Sequence, residues 1–240
     1  MPIAILLDFD GTAYTGDLAV QAYARRVAEL VDPAIATLVI GGMRSFLEGR
    51  PAPVGLPAAV HTALDTAEDG YEVVHTMSDA FGIPSRLRRS AYAASRDDVV
   101  RSAFALDEQP GLAGWLSGLD PADQVWLVTN APEAGIAEVL DAVGLTGHIG
   151  RIIPDAGKPE GLAAIAAAAV ALVGAPHRVL GVGDRWAADL GAIHDAGGRT
   201  AHLDRFGRGL GTPTWRAADL APMLPALTRW SDDPEVPVAT

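Results

Sequence analysis

The sequence predicts an α/β protein, a doubly wound parallel sheet interrupted after its first strand by a mostly α-helical insert. Three observations lead there. Ile3-Ala4-Ile5-Leu6-Leu7 is an apolar run that stops on Asp8, Asp10 and Gly11. It is too short for a helix buried on all sides and has the length of a strand covered on both faces. From residue 124 to 203, short apolar runs alternate with helical patterns, the signature of βαβ units. Between these parts, residues 15 to 108 carry helical spacing and no buried-strand signal.

The elements follow in order. Asp and Gly are poor strand residues, so the first strand ends at Asp8 and opens into a turn. Asp17 stands as N-cap to an amphipathic helix over Leu18–Val31. A second helix runs from Pro33 to about Gly49, and the proline-rich stretch Arg50–Pro57 is a turn or linker. Further helices are expected over Pro57–Glu68, Tyr71–Met77 and Pro84–Ala105. A strand over Val125–Val128 ends at Thr129-Asn130, followed by a helix from Pro132 to Val143 with proline in its first turn. Ile149–Ile153 is the next strand; it leads into Asp155-Ala156-Gly157-Lys158-Pro159 and an alanine-rich helix over Glu160–Val173. Arg178–Val182 is a strand ending on Gly183-Asp184, the helix Ala187–Ala196 stops at Gly197-Gly198, and Arg199–Leu203 is the last strand. Asp219–Leu227 reads as a terminal helix. The expected division is a core of residues 1–14 and 109–230, a helical module of 15–108, and a tail of 231–240.

Composition narrows the function. The 240 residues are 49% hydrophobic, enough for one core domain carrying a smaller one. A net charge of −12 argues against non-specific binding to nucleic acid or to an anionic membrane. The apolar run 161–174 is mostly alanine and too short to span a bilayer. Without a basic segment leading into an apolar signal stretch, a cytoplasmic location is expected. There is no cysteine, so a metal must be held by oxygen or imidazole. Of 18 basic residues 17 are arginine; the only lysine is Lys158. A lysine kept in a chain that otherwise uses arginine points to a position needing a compact ammonium and not a planar fork.

Strand ends carry the chemistry. The first ends on Asp8 and Asp10, the second on Thr129, and another on Gly183-Asp184, with Lys158 in the loop after a further strand. In a parallel sheet all of these share the carboxyl edge, where ligands bind. Carboxylates gathered there repel one another unless a cation stands among them, and an oxygen-only donor set suits Mg²⁺. On residues alone, Asp8 and Asp10 serve equally as turn residues, Thr129 as a helix N-cap, and Asp189 as a solvated helix residue.

Taken together, D-F-D-G-T, V-T-N, G-K-P and G-D-R-W-A-A-D, in that order, resemble the four motifs of the haloacid dehalogenase (HAD) superfamily, and the insert resembles a C1-type cap on a Rossmann-like core. The resemblance implies a Mg²⁺-dependent phosphatase acting on a small phosphorylated metabolite through an aspartyl-phosphate. Asp8 would be the nucleophile and Asp10 the general acid and base. Thr129 and Lys158 would hold the phosphoryl oxygens, with Asn130 and Gly11 lending backbone N–H groups or geometry. Asp8, the backbone carbonyl of Asp10, and Asp184 would bind Mg²⁺, and Asp189 would orient a metal-bound water or pair with Lys158. The cap would close over the substrate. A monomer or homodimer is expected. A sugar-phosphate phosphomutase of the same superfamily uses the same aspartate pair and is the alternative. Dehalogenase chemistry needs neither Asp10 nor Asp184, and phosphonatase chemistry needs a lysine in the cap, where there is none. An inactive binding or regulatory relative would show loss of Asp8, Asp10 or Lys158, and all three are present.

Overall fold

The computed structural model describes residues 1–235. The chain divides into two compact units: Met1–Thr15 together with the residues from Leu106 onward, and Gly16–Ala105. The first begins with β1 (Ala4–Leu7) and β2 (Tyr14–Thr15). The second is helical, with α1 (Leu18–Ala28), α2 (Pro33–Leu47), α3 (Ala58–Thr66), α4 (Gly70–Ala80) and α5 (Ser85–Arg101). The first unit resumes with β3 (Asp107–Glu108), α6 (Leu112–Ser117), β4 (Gln124–Val128), α7 (Ile136–Ala142), β5 (Arg151–Ile153) and α8 (Leu162–Val173). It continues through β6 (Val179–Gly183), a π-helical turn (Trp186–Leu190) running into α9 (Gly191–Asp195), β7 (Arg199–Leu203), β8 (Trp215–Ala217) and α10 (Leu224–Asp232).

Six of these strands form one parallel sheet in the order β5-β4-β1-β6-β7-β8. From β1 the chain winds outward through β4 and β5, then crosses back to β6 and winds the other way. The switch point therefore lies between β1 and β6, and in such sheets the crevice outside the strand ends at that point is the ligand site. All four residues of β1 are buried. Ala4 and Leu6 pack with Trp126, Val128, Leu162, Ala166 and Ile193 on one face, while Ile5 and Leu7, fully buried, point to the other. A strand covered on both faces reads as an unbroken apolar run, and its position is held by apolar burial worth about 1.5–3 kcal/mol per large side chain.

In the helical unit, Asp32 caps α2 by accepting from the N–H groups of Ala34 (2.9 Å) and Ile35 (3.1 Å), with Pro33 at the first position where its missing donor costs nothing. Asp69 caps α4 at the Glu72 N–H, and the Glu72 carboxylate accepts in turn from the N–H of Glu68. Arg26 of α1 makes a two-pronged bond to Asp98 of α5 at 2.6 and 2.8 Å. Beside it Tyr23 is fully buried, stacked on Tyr71 and edge-on to Tyr92.

Several expectations need correction. The helix expected from Pro132 starts at Ile136, because Gly135 takes φ +86° and a left-handed residue cannot lie inside a right-handed helix. The short β2–β3 ribbon, α6 and β8 have no counterpart in the sequence reading; at two to six residues they are too short to show a period. Of the expected tail, residues 231–235 are held by contacts. Helix α10 runs to Asp232, Trp230 donates its indole N–H to the His177 carbonyl (3.1 Å), and Glu235 pairs with Arg178 and His177. Residues 236–240 lie outside the described residues. No described helix is long and apolar enough to cross a membrane.

Candidate active site

The carboxyl end of β1 sets the site. The Asp8 N–H donates to the Val182 carbonyl (2.9 Å), continuing the ladder to β6 one residue past the strand. Asp8 is thus held at the switch point, with little exposure. The chain then turns: the N–H groups of Thr12 and Ala13 both bond the Phe9 carbonyl, and Gly11 sits at φ +83°. A Cβ at Gly11 would lie 2.5 Å from Oδ2 of Asp184. Glycine is required here for the left-handed turn, and its missing Cβ leaves room for the Asp184 carboxylate.

Lys158 comes in from the loop after β5 and is buried. Its ammonium donates to Asp8 Oδ1 (2.6 Å), Asp189 Oδ1 (2.6 Å) and the Val128 carbonyl (2.8 Å). Lysine has three N–H donors, so all three are spent on this tripod. Burial acts to strip the proton from Lys158, but the charges of Asp189 and Asp8 outweigh it and push its pKa up. Burial, and then the charge of Asp189, hold the Asp8 carboxyl well above the usual carboxylate range, against the opposing pull of Lys158. Two carboxylates thus share one ammonium.

Thr129 and Asn130 end β4, but they are used differently from each other. The Thr129 N–H extends the ladder to Ile153, and its Oγ1 accepts from the Ala131 N–H at 3.0 Å. The hydroxyl closes this turn; it does not cap α7, which begins seven residues on. Asn130 turns both ends of its amide on the backbone of Lys158, accepting from its N–H (2.7 Å) and donating to its carbonyl (2.9 Å). Its side chain is thus committed to placing Lys158.

The β6 loop supplies Asp184 and Asp189. A Cβ at Gly183 would come within 2.4 Å of the Asp189 Cβ, so only glycine lets Asp189 fold back over the strand end. The wide π turn Trp186–Leu190 delivers it there, and the Arg185 N–H holds Asp189 Oδ2 at 3.0 Å. Asp189 is therefore buried and paired with Lys158, not a solvated helix residue. Asp184 is partly exposed at the crevice. One oxygen from each of Asp8, Asp184 and Asp189 lies within 4.8 Å of the others, a group able to hold a metal ion. The carboxylate of Asp10 is not in that group. It accepts a hydrogen bond from the phenol of Tyr14.

Two contributors were invisible in the sequence. Tyr14 is one. The other is His202 of β7, buried, whose Nε2–H donates to the Asp184 backbone carbonyl at 3.2 Å. Burial depresses its pKa and keeps it neutral, with Nδ1 as an unpaired lone pair facing inward. A histidine near the carboxyl end of β7 was the available signal.

The model of the haloacid dehalogenase-like hydrolase family matches residues 4–197. No curated protein matches the sequence. Among solved structures, a HAD phosphatase from Thermococcus onnurineus is similar with TM-score 0.58 at 18% identity, over 95% of this chain and 98% of that one. A HAD-hydrolase candidate of Bacillus subtilis, YfnB, solved bound to magnesium, gives 0.57 at 17%, over 95% and 99%. A β-phosphoglucomutase candidate from Thermotoga maritima gives 0.55 at 17%, over 95% and 99%. At such identities these structures speak for the fold alone. The family model, matching the chain from β1 to the end of α9, carries the assignment: this chain belongs to the haloacid dehalogenase-like hydrolases.

Proposed function

We propose that this hydrolase is a phosphatase of small phosphomonoesters that works through an aspartyl-phosphate on Asp8. The observation that carries the reading is the tripod on Lys158, which fixes one buried carboxylate, Asp8, beside an ammonium at the switch point of the sheet. In the first step an Asp8 oxygen bonds to phosphorus, the bond from phosphorus to the alcohol oxygen breaks, and Asp10 gives that oxygen its proton. In the second, water attacks phosphorus, loses a proton to Asp10, and releases phosphate and Asp8. Lys158 stays charged throughout and offsets charge on the phosphoryl oxygens. The Thr129 hydroxyl, already accepting from Ala131, has its own hydrogen left to donate to one of them.

The donor set fits Mg²⁺: oxygens only, with three carboxylates close together. Asp8, Asp184 and the backbone carbonyl of Asp10 would hold the ion. Asp189 suits that task less, since Lys158 and the Arg185 N–H take up both its oxygens. Bound Mg²⁺ supplies the charge that lets Asp8 and a phosphate dianion share the site. The inserted helical unit is assigned the role of a cap.

The test is phosphate release from a panel of phosphomonoesters with Mg²⁺ or with EDTA, for wild type and Asp8→Asn. Release that needs Mg²⁺ and is lost in Asp8→Asn supports the reading. Turnover in EDTA, or an active Asn variant, refutes it. Isomerisation of a sugar phosphate in place of phosphate release would assign the same residues to a mutase.

A further inference from the structure

Asp10 is asked to give a proton and then take one, so its carboxyl must face the reacting oxygen in both steps. We propose that Tyr14 is the positioning residue for those transfers. The inference rests on the role given to Asp10 above.

The phenol of Tyr14 donates to Asp10 Oδ1. It has little freedom to do anything else. Tyr14 is 1% exposed. Its ring meets Phe9 edge to face, with centroids 5.2 Å apart and planes at 84°. Its backbone bridges to Asp10 and pairs with Glu108 in the β2–β3 ribbon. Backbone, ring and hydroxyl are thus each held, and the hydroxyl locks the rotation of the Asp10 carboxyl group. An O–H donor at Oδ1 suits both protonation states. When the carboxyl is protonated, Oδ1 is its carbonyl oxygen and the proton sits on Oδ2. When it is ionised, Oδ1 remains an acceptor and Oδ2 receives the proton from water. The same bond therefore aims Oδ2 in leaving-group departure and in hydrolysis, without itself transferring a proton. Preorganising one carboxyl oxygen in this way raises the share of productive encounters.

A buried tyrosine could also serve only to fill space and satisfy its hydroxyl, so the test must separate positioning from packing. Tyr14→Phe removes a single oxygen and keeps the ring against Phe9. Values of kcat/KM, which report formation of the aspartyl-phosphate, are measured on p-nitrophenyl, phenyl and alkyl phosphates. The first alcohol leaves unaided, whereas the last depends on the proton from Asp10. The expected result is a loss of about tenfold on the alkyl ester, within the range of acid–base contributions, and under about twofold on the nitrophenyl ester. In an Asp10→Asn background, Tyr14→Phe should cause no further loss on phenyl phosphate, because the partner it aims is already gone. Equal losses on all three esters, or a loss that multiplies with that of Asp10→Asn, would overturn the inference and leave the phosphatase reading intact. An Asp10→Asn enzyme with full activity on the alkyl ester would overturn the role of Asp10, and this inference with it.

Discussion

Replacing Lys158 by methionine keeps the length and apolar stem of the side chain and removes only the ammonium. Two carboxylates and the Val128 carbonyl then lose their partner together. The side chains are nearly closed to solvent, at 3% for Lys158, 11% for Asp8 and 4% for Asp189, so water cannot replace what is lost. Breaking a buried ion pair from one side costs about 3–5 kcal/mol, and a cost in that range is expected near pH 8 in metal-free buffer. The sign of its pH dependence follows from Asp8. Burial and Asp189 already hold its carboxyl above the usual range, and Lys158 opposes them. Without the ammonium the native variant keeps a proton on Asp8 that the unfolded chain has released, so its stability falls as pH rises. Each proton so held is worth about 1.4 kcal/mol per pH unit; wild-type Asp8, itself raised to about 7, follows the same slope below that pH, so the deficit against wild type should shrink by about one such step between about pH 8 and pH 7 and stay level below it. All five tryptophans, Trp115, Trp126, Trp186, Trp215 and Trp230, lie in the sheet unit, so urea unfolding followed by tryptophan fluorescence reports on that unit alone. A deficit under about 1 kcal/mol at pH 8, or one that does not change with pH, would refute the tripod as the electrostatic centre of the core.

Two other expectations follow. Asn130→Asp keeps the shape of the amide but loses the donor to the Lys158 carbonyl and sets a charge against it; a fall of about tenfold or more in kcat/KM with an unchanged melting temperature is expected, and an unaffected kcat/KM would show that the clamp does not place Lys158. In the helical unit, the hydrogen bond from Arg26, helped by Arg101, holds the Asp98 carboxyl below the usual range. Its stabilisation is therefore present above the unfolded carboxyl pKa of about 3.9 and lost as pH falls through the lower native value. Asp98→Asn should weaken the helical signal in circular dichroism melts at neutral pH and match wild type at strongly acid pH; a deficit equal at both would assign the effect to packing.

Much of this protein could be read from its residues one neighbourhood at a time. The run Ile3–Leu7 is a buried strand because it has apolar residues for both faces, and it ends at Asp8 because Asp and Gly favour the turn. The alternation from 124 to 203 gives a parallel sheet, and a parallel sheet gathers its strand ends at one edge. That local logic was enough to nominate Asp8, Asp10, Thr129, Lys158 and Asp184, together with the sole lysine as exceptional. It was silent on whatever depends on partners distant in sequence. Lys158 meets Asp8 across 150 positions, and nothing near either residue says that the ammonium also takes Asp189 and a carbonyl of β4. Asn130 was expected to lend a backbone N–H or geometry, and nothing in its own neighbourhood says that its amide clamps the backbone of Lys158. Read alone, Asp189 serves equally as a solvated helix residue, and only the family resemblance pairs it with Lys158, because a π turn and the missing Cβ of Gly183 leave no periodic trace. Tyr14 and His202 carry no local sign of the partners they meet. Propensity and period act over a few residues and set the elements. Which hydrogen bonds close between elements is decided by packing, since a polar group carried into the core must find its partner there.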